Sequence, residues 1–214
     1  MNTISFERFA GLCAIVVGLS GLAYAIAFVT LLSDATKAAD ALSNALLIFA
    51  GLLSIAVLTA VYGRLRDTDE GFALLALILG VTGAAGSIAH GGHELAKIIN
   101  PPDLDPSLPN PTDPRGLFTF GLTALAGFVV AMLILRGAAL PRGLAYVGIA
   151  SGVLLLLVYF GRLIVLDPKE PWVLASAVLV GFVLNPIWYL WVGLTFWRSE
   201  KVAGRVGPAR PVSA

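Results

Sequence analysis

The sequence predicts an all-α fold, a polytopic bundle of about six membrane-spanning helices. Three observations predict it. The chain is 58% hydrophobic and only 13% charged, against about a quarter charged in ordinary soluble domains. Its mean hydropathy is +0.90. No charge at all occurs from Phe9 to Ser33 or from Gly143 to Gly161. An α-helix rises 1.5 Å per residue, so about twenty apolar residues cross the hydrocarbon of a bilayer. The uncharged runs have that length.

The first expected span covers residues 9–32, after Arg8. It is longer than the 7–15 residues of a signal-peptide core and further spans follow it, so it reads as a retained helix. Cys13, the single cysteine, lies inside it and leaves no partner for a disulfide or a CxxC motif. The second span, 41–63, begins after the polar stretch Ser33–Asp40 and stops at Arg64. The third, 72–94, carries a stripe of small residues, Gly80, Gly83, Ala84 and Ser87, of the kind that lets membrane helices approach closely. The fourth, 117–135, follows a loop holding Pro101, Pro102, Pro106, Pro109, Pro111 and Pro114. Proline at these positions resets the backbone out of helix. The fifth span, 144–166, lies between the turn Arg136–Arg142 and the turn Asp167–Pro171. The sixth, 172–197, has Trp172 and Trp197 at its two ends as interfacial anchors. One transmembrane domain is expected over 1–197, with a basic, disordered cytoplasmic tail over 198–214. Similar openings at Arg8-Phe9-Ala10-Gly11, Gly71-Phe72-Ala73 and Arg142-Gly143-Leu144-Ala145 suggest three repeated hairpins.

Lys and Arg set the orientation. With the N-terminus inside, nine of them fall on the cytoplasmic side, from Arg8 to Arg210, and five outside: Lys37, Lys97, Arg115, Arg162 and Lys169. Both termini are therefore expected in the cytoplasm. A net charge of +1 gives no basis for nucleic-acid binding; the expected partners are the lipid bilayer and a small-molecule ligand or another membrane protein.

The polar residues that could carry chemistry gather on the outer side. Ser87, His90, His93, Glu94 and Lys97 share one face of the third helix, by spacings of three and four. His90 and His93 are the chain's two histidines. HxxH followed by Glu94 can supply two imidazoles and a carboxylate to one metal ion, and Asp103, Asp105 or Asp113 in the following loop can supply a third ligand. The competing reading is an interfacial cluster that ties the proline-rich loop to the helix end, with Gly91 and Gly92 fraying the helix. Arg162, close to Tyr159, lies about one turn inside the outer interface, and a charge inside a membrane is a functional-site hypothesis with a partner to be named. Glu94 is the expected partner, then Asp113, with snorkelling to the headgroups as the alternative. Asn185-Pro186 falls at mid-membrane depth, where Pro186 is expected to kink the helix and Asn185 to bond a neighbour such as Asn44. Trp188, Tyr189 and Trp191 follow as an aromatic cluster, read as packing or lipid-facing.

Several chemistries lack their residues. Interhelical haem needs histidines on facing helices, a thiol oxidoreductase needs cysteine pairs, and a retinal protein needs a mid-span lysine. An intramembrane serine protease needs a distant histidine for its serine. No cofactor is indicated.

The segments Asp113-Pro114-Arg115-Gly116-Leu117-Phe118-Thr119-Phe120-Gly121, Leu140-Pro141-Arg142-Gly143-Leu144 and Asn185-Pro186-Ile187-Trp188-Tyr189-Leu190-Trp191-Val192-Gly193-Leu194 resemble a bacterial family of six-helix membrane proteins catalogued as domain of unknown function 4386. The resemblance implies a bacterial cytoplasmic-membrane address and brings no activity or catalytic residue with it. Three functions follow as expectations. The first is a ligand- or partner-binding accessory protein whose outer site uses His90, His93, Glu94, Asp113, Tyr159, Arg162 and Asn185. The second is a small transporter or its membrane-embedded binding subunit. The third is a metal-dependent hydrolase built on His90 and His93.

Overall fold

The computed structural model describes residues 5–33, 37–99, 110–166 and 170–203, with backbone only at 28–33 and 199–203. These residues are all-α, with no strand among them. The helices are α1 (Phe6–Ser33), α2 (Lys37–Leu65), α3 (Glu70–Ile99), α4 (Thr123–Arg136), α5 (Arg142–Phe160), α6 (Pro171–Leu179) and α7 (Asn185–Ala203). Three π-helical turns extend or join them: Leu117–Leu122 before α4, Gly161–Val165 after α5, and Val180–Leu184 between α6 and α7. With these turns counted in, the described residues contain six helices long and apolar enough to cross a membrane. The outward surface suits lipid. Leu19, Leu52, Ile78, Val153, Leu157 and Leu194 are all exposed, and a soluble fold would not tolerate so wide an apolar girdle.

Each helix packs on its sequence neighbours, and α1 packs on α7, so the spans form a closed ring. Glycines set the closest approaches. A Cβ at Gly193 of α7 would lie 2.8 Å from the Gly11 carbonyl of α1. Likewise a Cβ at Gly51 of α2 would lie 2.9 Å from the Ala84 carbonyl of α3. The small-residue stripe of α3 therefore packs on both sides. Gly80 meets Leu58 of α2, while Gly83 and Gly86 admit Thr123 and Phe118 of the fourth span. α2 packs on α3 as closely as on α1, so the ring is continuous across the boundaries between hairpins.

Several boundaries differ from the sequence expectation. α3 runs unbroken through Gly91 and Gly92 to Ile99, because Gly91 is pressed against the Asn44 carbonyl of α2 and neighbours support the weak position. α7 continues past Arg198 to Ala203, so the first residues of the expected disordered tail are helical; no helix-breaking residue intervenes before Gly204. Asp34, Asp103, Asp105, Asp167, Lys169 and residues 204–214 lie outside the described residues. The Pro186 kink takes a specific form. The wide turn at Val180–Leu184 ends with the Asn185 N–H bonded to the Val180 carbonyl, which spreads the ladder one turn before the proline ring needs room.

The main core occupies one half of the ring. Val57, Val61, Leu65, Leu133, Ile134, Leu144, Val192 and Phe196 are fully buried there. Charges secure the same end: Arg64 pairs with Glu7, Arg8 stacks 4.4 Å from the Trp197 ring, and Arg136 lies 5.6 Å from that of Phe72.

Candidate functional site

The other half of the ring is hollow. A cavity of about 310 Å³ lies between the six spans, with walls from every one of them. Its volume falls at the lower end of the range for ligand pockets, about 300–1,000 Å³. Most of the wall is apolar, with Ala25, Leu46, Leu155, Val158 and Val178 among its residues. Polar groups occur in two places. Toward the chain's two histidines are Tyr24, Ser87, His90, Thr119 and Arg162; deeper in the membrane are Ser54, Asn185, Trp188 and Tyr189. All three π-helical turns reach this cavity, through Phe120, Arg162 and Phe182. π turns occur preferentially at functional sites, because the extra residue re-aims side chains at the cost of weaker hydrogen bonds.

Asp113 organises the histidine end. It is fully buried, and its Oδ1 accepts the Phe118 N–H at 2.8 Å. Its Oδ2 accepts the Thr119 hydroxyl at 2.6 Å and the Thr119 N–H at 3.3 Å. The carboxylate thus caps the free N–H groups that open the fourth span, where a negative charge is also favoured by the helix dipole. The chain can fold back over this helix start because Arg115 and Gly116 both adopt left-handed backbone, at φ 58° and 84°. Gly116 is the only residue type that fits, since a Cβ there would enter the Phe120 ring. Thr119 in turn lies 3.4 Å from the Ser87 hydroxyl of α3. His90 approaches from the same helix, with its Nδ1 3.7 Å from Asp113 Oδ2, too far for a hydrogen bond. That nitrogen is buried without a partner.

Arg162 lines the cavity with its guanidinium 5.5 Å from the Phe120 ring. The expected Arg162–Glu94 pair does not form. Glu94 instead accepts from Lys97, three residues along the same helix at 3.1 Å, and from the Asn110 amide at 2.9 Å. A neighbour on the same helix holds it with less conformational cost than a partner across the ring. Asp113, the second expected partner, interacts electrostatically with Arg162 but is committed to the helix N-terminus. Among the described residues, no carboxylate lies within ion-pair distance of Arg162.

The structure therefore divides the seven candidate residues. His90, Arg162 and Asn185 line one cavity. Asp113 stands behind His90, and Glu94 ties Asn110 to the end of α3. His93 and Tyr159 are not on the cavity wall; Tyr159 packs beside Phe160 and against Gly121. The expected Asn185–Asn44 bond is also absent, because the Asn44 amide donates to the Asp40 carbonyl and carboxylate one turn away, at 3.0 Å each. A local acceptor on the same helix again wins. As for a metal, no group of three potential ligands converges among the described residues.

Three cavity residues were not singled out from the sequence for this role. Tyr24 sits near Arg162 and interacts with it electrostatically. Tyr189 bonds Ser54 across the ring at 3.1 Å, so the aromatic cluster of α7 faces inward at this residue. Ser151 is buried on α5 with no partner for its hydroxyl. Tyr24 and Ser151 are single polar residues in otherwise apolar stretches, the one signal the sequence carries for them.

A second depression, of about 710 Å³, lies on the lipid side of α7, between Pro141, Trp191, Leu194 and Arg198. It is larger but open along its length, and none of the candidate residues lines it. No protein-family model, no curated protein and no solved structure matches this chain.

Proposed function

We propose that this chain is a membrane-embedded ligand-binding protein whose ligand occupies the cavity inside the helix ring. One observation carries the reading: Arg162 faces that cavity without a carboxylate in ion-pair range among the described residues. A charge held inside a membrane is costly and is retained where it has work to do. His90, on the same cavity wall, supports the same reading.

Gly21 provides the test. It lines the cavity, and a Cβ there meets nothing within 4 Å, so Gly21→Leu directs a side chain from α1 into open space. Native mass spectrometry of the full chain released from detergent should show a bound small molecule on the wild type and none on Gly21→Leu. If the wild type carries nothing and a membrane lipid extract raises neither protein's melting temperature, the cavity is not a ligand site.

Orientation and address belong to the same proposal. The arginine-rich end, where α1 begins and α7 ends, faces the cytoplasm by the excess of Lys and Arg there. The resemblance noted above supports a bacterial cytoplasmic membrane.

A transporter is the second reading, favoured by the interrupted sixth span at Val180–Pro186 beside the cavity. Discontinuous helices at mid-membrane mark substrate sites in many transporters. Asn185→Cys in a Cys13→Ala background separates the two readings. A transporter exposes that thiol to a membrane-impermeant maleimide from both sides, and a fixed receptor from one side only.

A further inference from the structure

Resting on the cavity reading above, we infer that the ligand is a single-chain amphiphile with a small anionic head, a medium-chain carboxylate, seated with its head on Arg162. Charge identifies the head. Among the described residues, Arg162 is the one cationic side chain on the cavity wall besides the titratable His90. Among the described residues, the carboxylates nearest it are spent elsewhere, Glu94 on Lys97 and Asn110, and Asp113 on the start of the fourth span. A guanidinium offers a planar fork of donors that matches a carboxylate, and such charge-assisted pairs are about twice as strong as neutral hydrogen bonds. His90 adds an imidazole on the same wall, with its Nδ1 turned toward Asp113.

Volume and wall chemistry identify the tail. The cavity of about 310 Å³ lies at the lower end of the ligand-pocket range of about 300–1,000 Å³. That suits a single medium-length chain rather than a two-chain phospholipid. The wall between the Arg162 end and the deep Asn185 end is mostly apolar, with Leu155, Val158, Ala177 and Val178. Apolar lining with a few placed polar groups is how ligand pockets usually combine affinity with orientation.

The test uses the full chain in phosphatidylcholine nanodiscs and three probes: decanoate, decanol and acetate. Binding is read from the fluorescence of the tryptophans, Trp188 being on the cavity wall. Decanoate should bind saturably, at least about tenfold more tightly than decanol, with acetate weaker still. Arg162→Gln should bring decanoate down to the level of decanol and leave decanol unchanged, which also shows that the variant is folded. Arg162→Lys should fall between, because an ammonium cannot make the paired contact. Gly21→Leu should abolish binding of both ten-carbon probes. Equal binding of decanoate and decanol, both lost in Gly21→Leu, overturns the anionic class while the cavity reading survives. Acetate binding as tightly as decanoate overturns the tail. Binding of every probe unaffected by Gly21→Leu, or no binding at all, overturns both the class and the cavity reading.

Discussion

The two ends of the ring solve opposite problems with the same kind of helix. At the arginine-rich end, Phe196, Leu133, Ile134 and Leu144 fill the space between spans, and Arg8, Arg64 and Arg136 each have an aromatic or acidic partner. At the histidine end the corresponding cluster shrinks to Ala124, Leu155 and Val180. A cavity opens there, and Arg162 stands over Phe120 with no carboxylate in ion-pair range among the described residues. The difference shows where this protein needs stability and where it leaves room. Regular α-helix runs through the filled half, while all three π-helical turns reach the hollow half. Lipid supplies no hydrophobic drive between helices, so packing has to hold the ring. The filled half supplies most of it.

That contrast can be broken most sharply at Gly193. Its Cβ would lie 2.8 Å from backbone oxygen of α1, so Gly193→Leu should destabilise by about 3 kcal/mol or more, the cost of forced overpacking. Unfolding in sodium dodecyl sulfate measures it; a change below 1 kcal/mol would show that α1 and α7 are free to separate. Truncations then compare the halves directly. Phe196→Ala should cost about 3 kcal/mol, and Leu155→Ala, on the cavity wall, about 1 kcal/mol, because a residue facing a void has fewer contacts to lose. Equal costs would mean that the cavity is filled as tightly as the core. Asp113→Asn should cost about 2 kcal/mol by weakening charge-assisted bonds to Phe118 and Thr119. It should leave the preference for decanoate over decanol in place, and a lost preference would make Asp113 part of the ligand site. The smallest effect belongs to Tyr189→Phe. Breaking the Ser54 bond should cost about 0.6 kcal/mol, the usual value for an interhelical bond in a membrane. A cost above 2 kcal/mol, on the same denaturation curve, would mark that bond as structural glue rather than part of a cavity wall.

Much of this molecule is legible in its sequence. The runs ending at Ser33, Arg64 and Arg136 announced their spans, because the length of an apolar helix is dictated by the thickness of hydrocarbon. The gathering of His90, Glu94, Asp113 and Arg162 at one end followed from counting spans. Pairing was not legible. Depth along the spans points Glu94 at Arg162, yet Lys97 and Asn110 hold it; it points Asn44 at Asn185, yet Asp40 holds it. In both cases a partner one turn away on the same helix competed successfully with one across the bundle. Tyr24 and Tyr189 escaped for a different reason. In an apolar helix surrounded by lipid and neighbours, hydropathy is almost the same on every face, so periodicity cannot say which side looks inward.

The sequence by itself therefore determined the solvent, the number of spans and the end at which the charges collect. Each of these depends only on the order of apolar and polar residues along the chain. Tertiary structure alone decided that the ring closes through Gly11 and Gly193, that three helices widen beside one cavity, and that Arg162 faces it with no carboxylate in ion-pair range among the described residues. Those outcomes depend on which faces of separate helices meet, and linear order carries no record of the rotation of each helix about its axis.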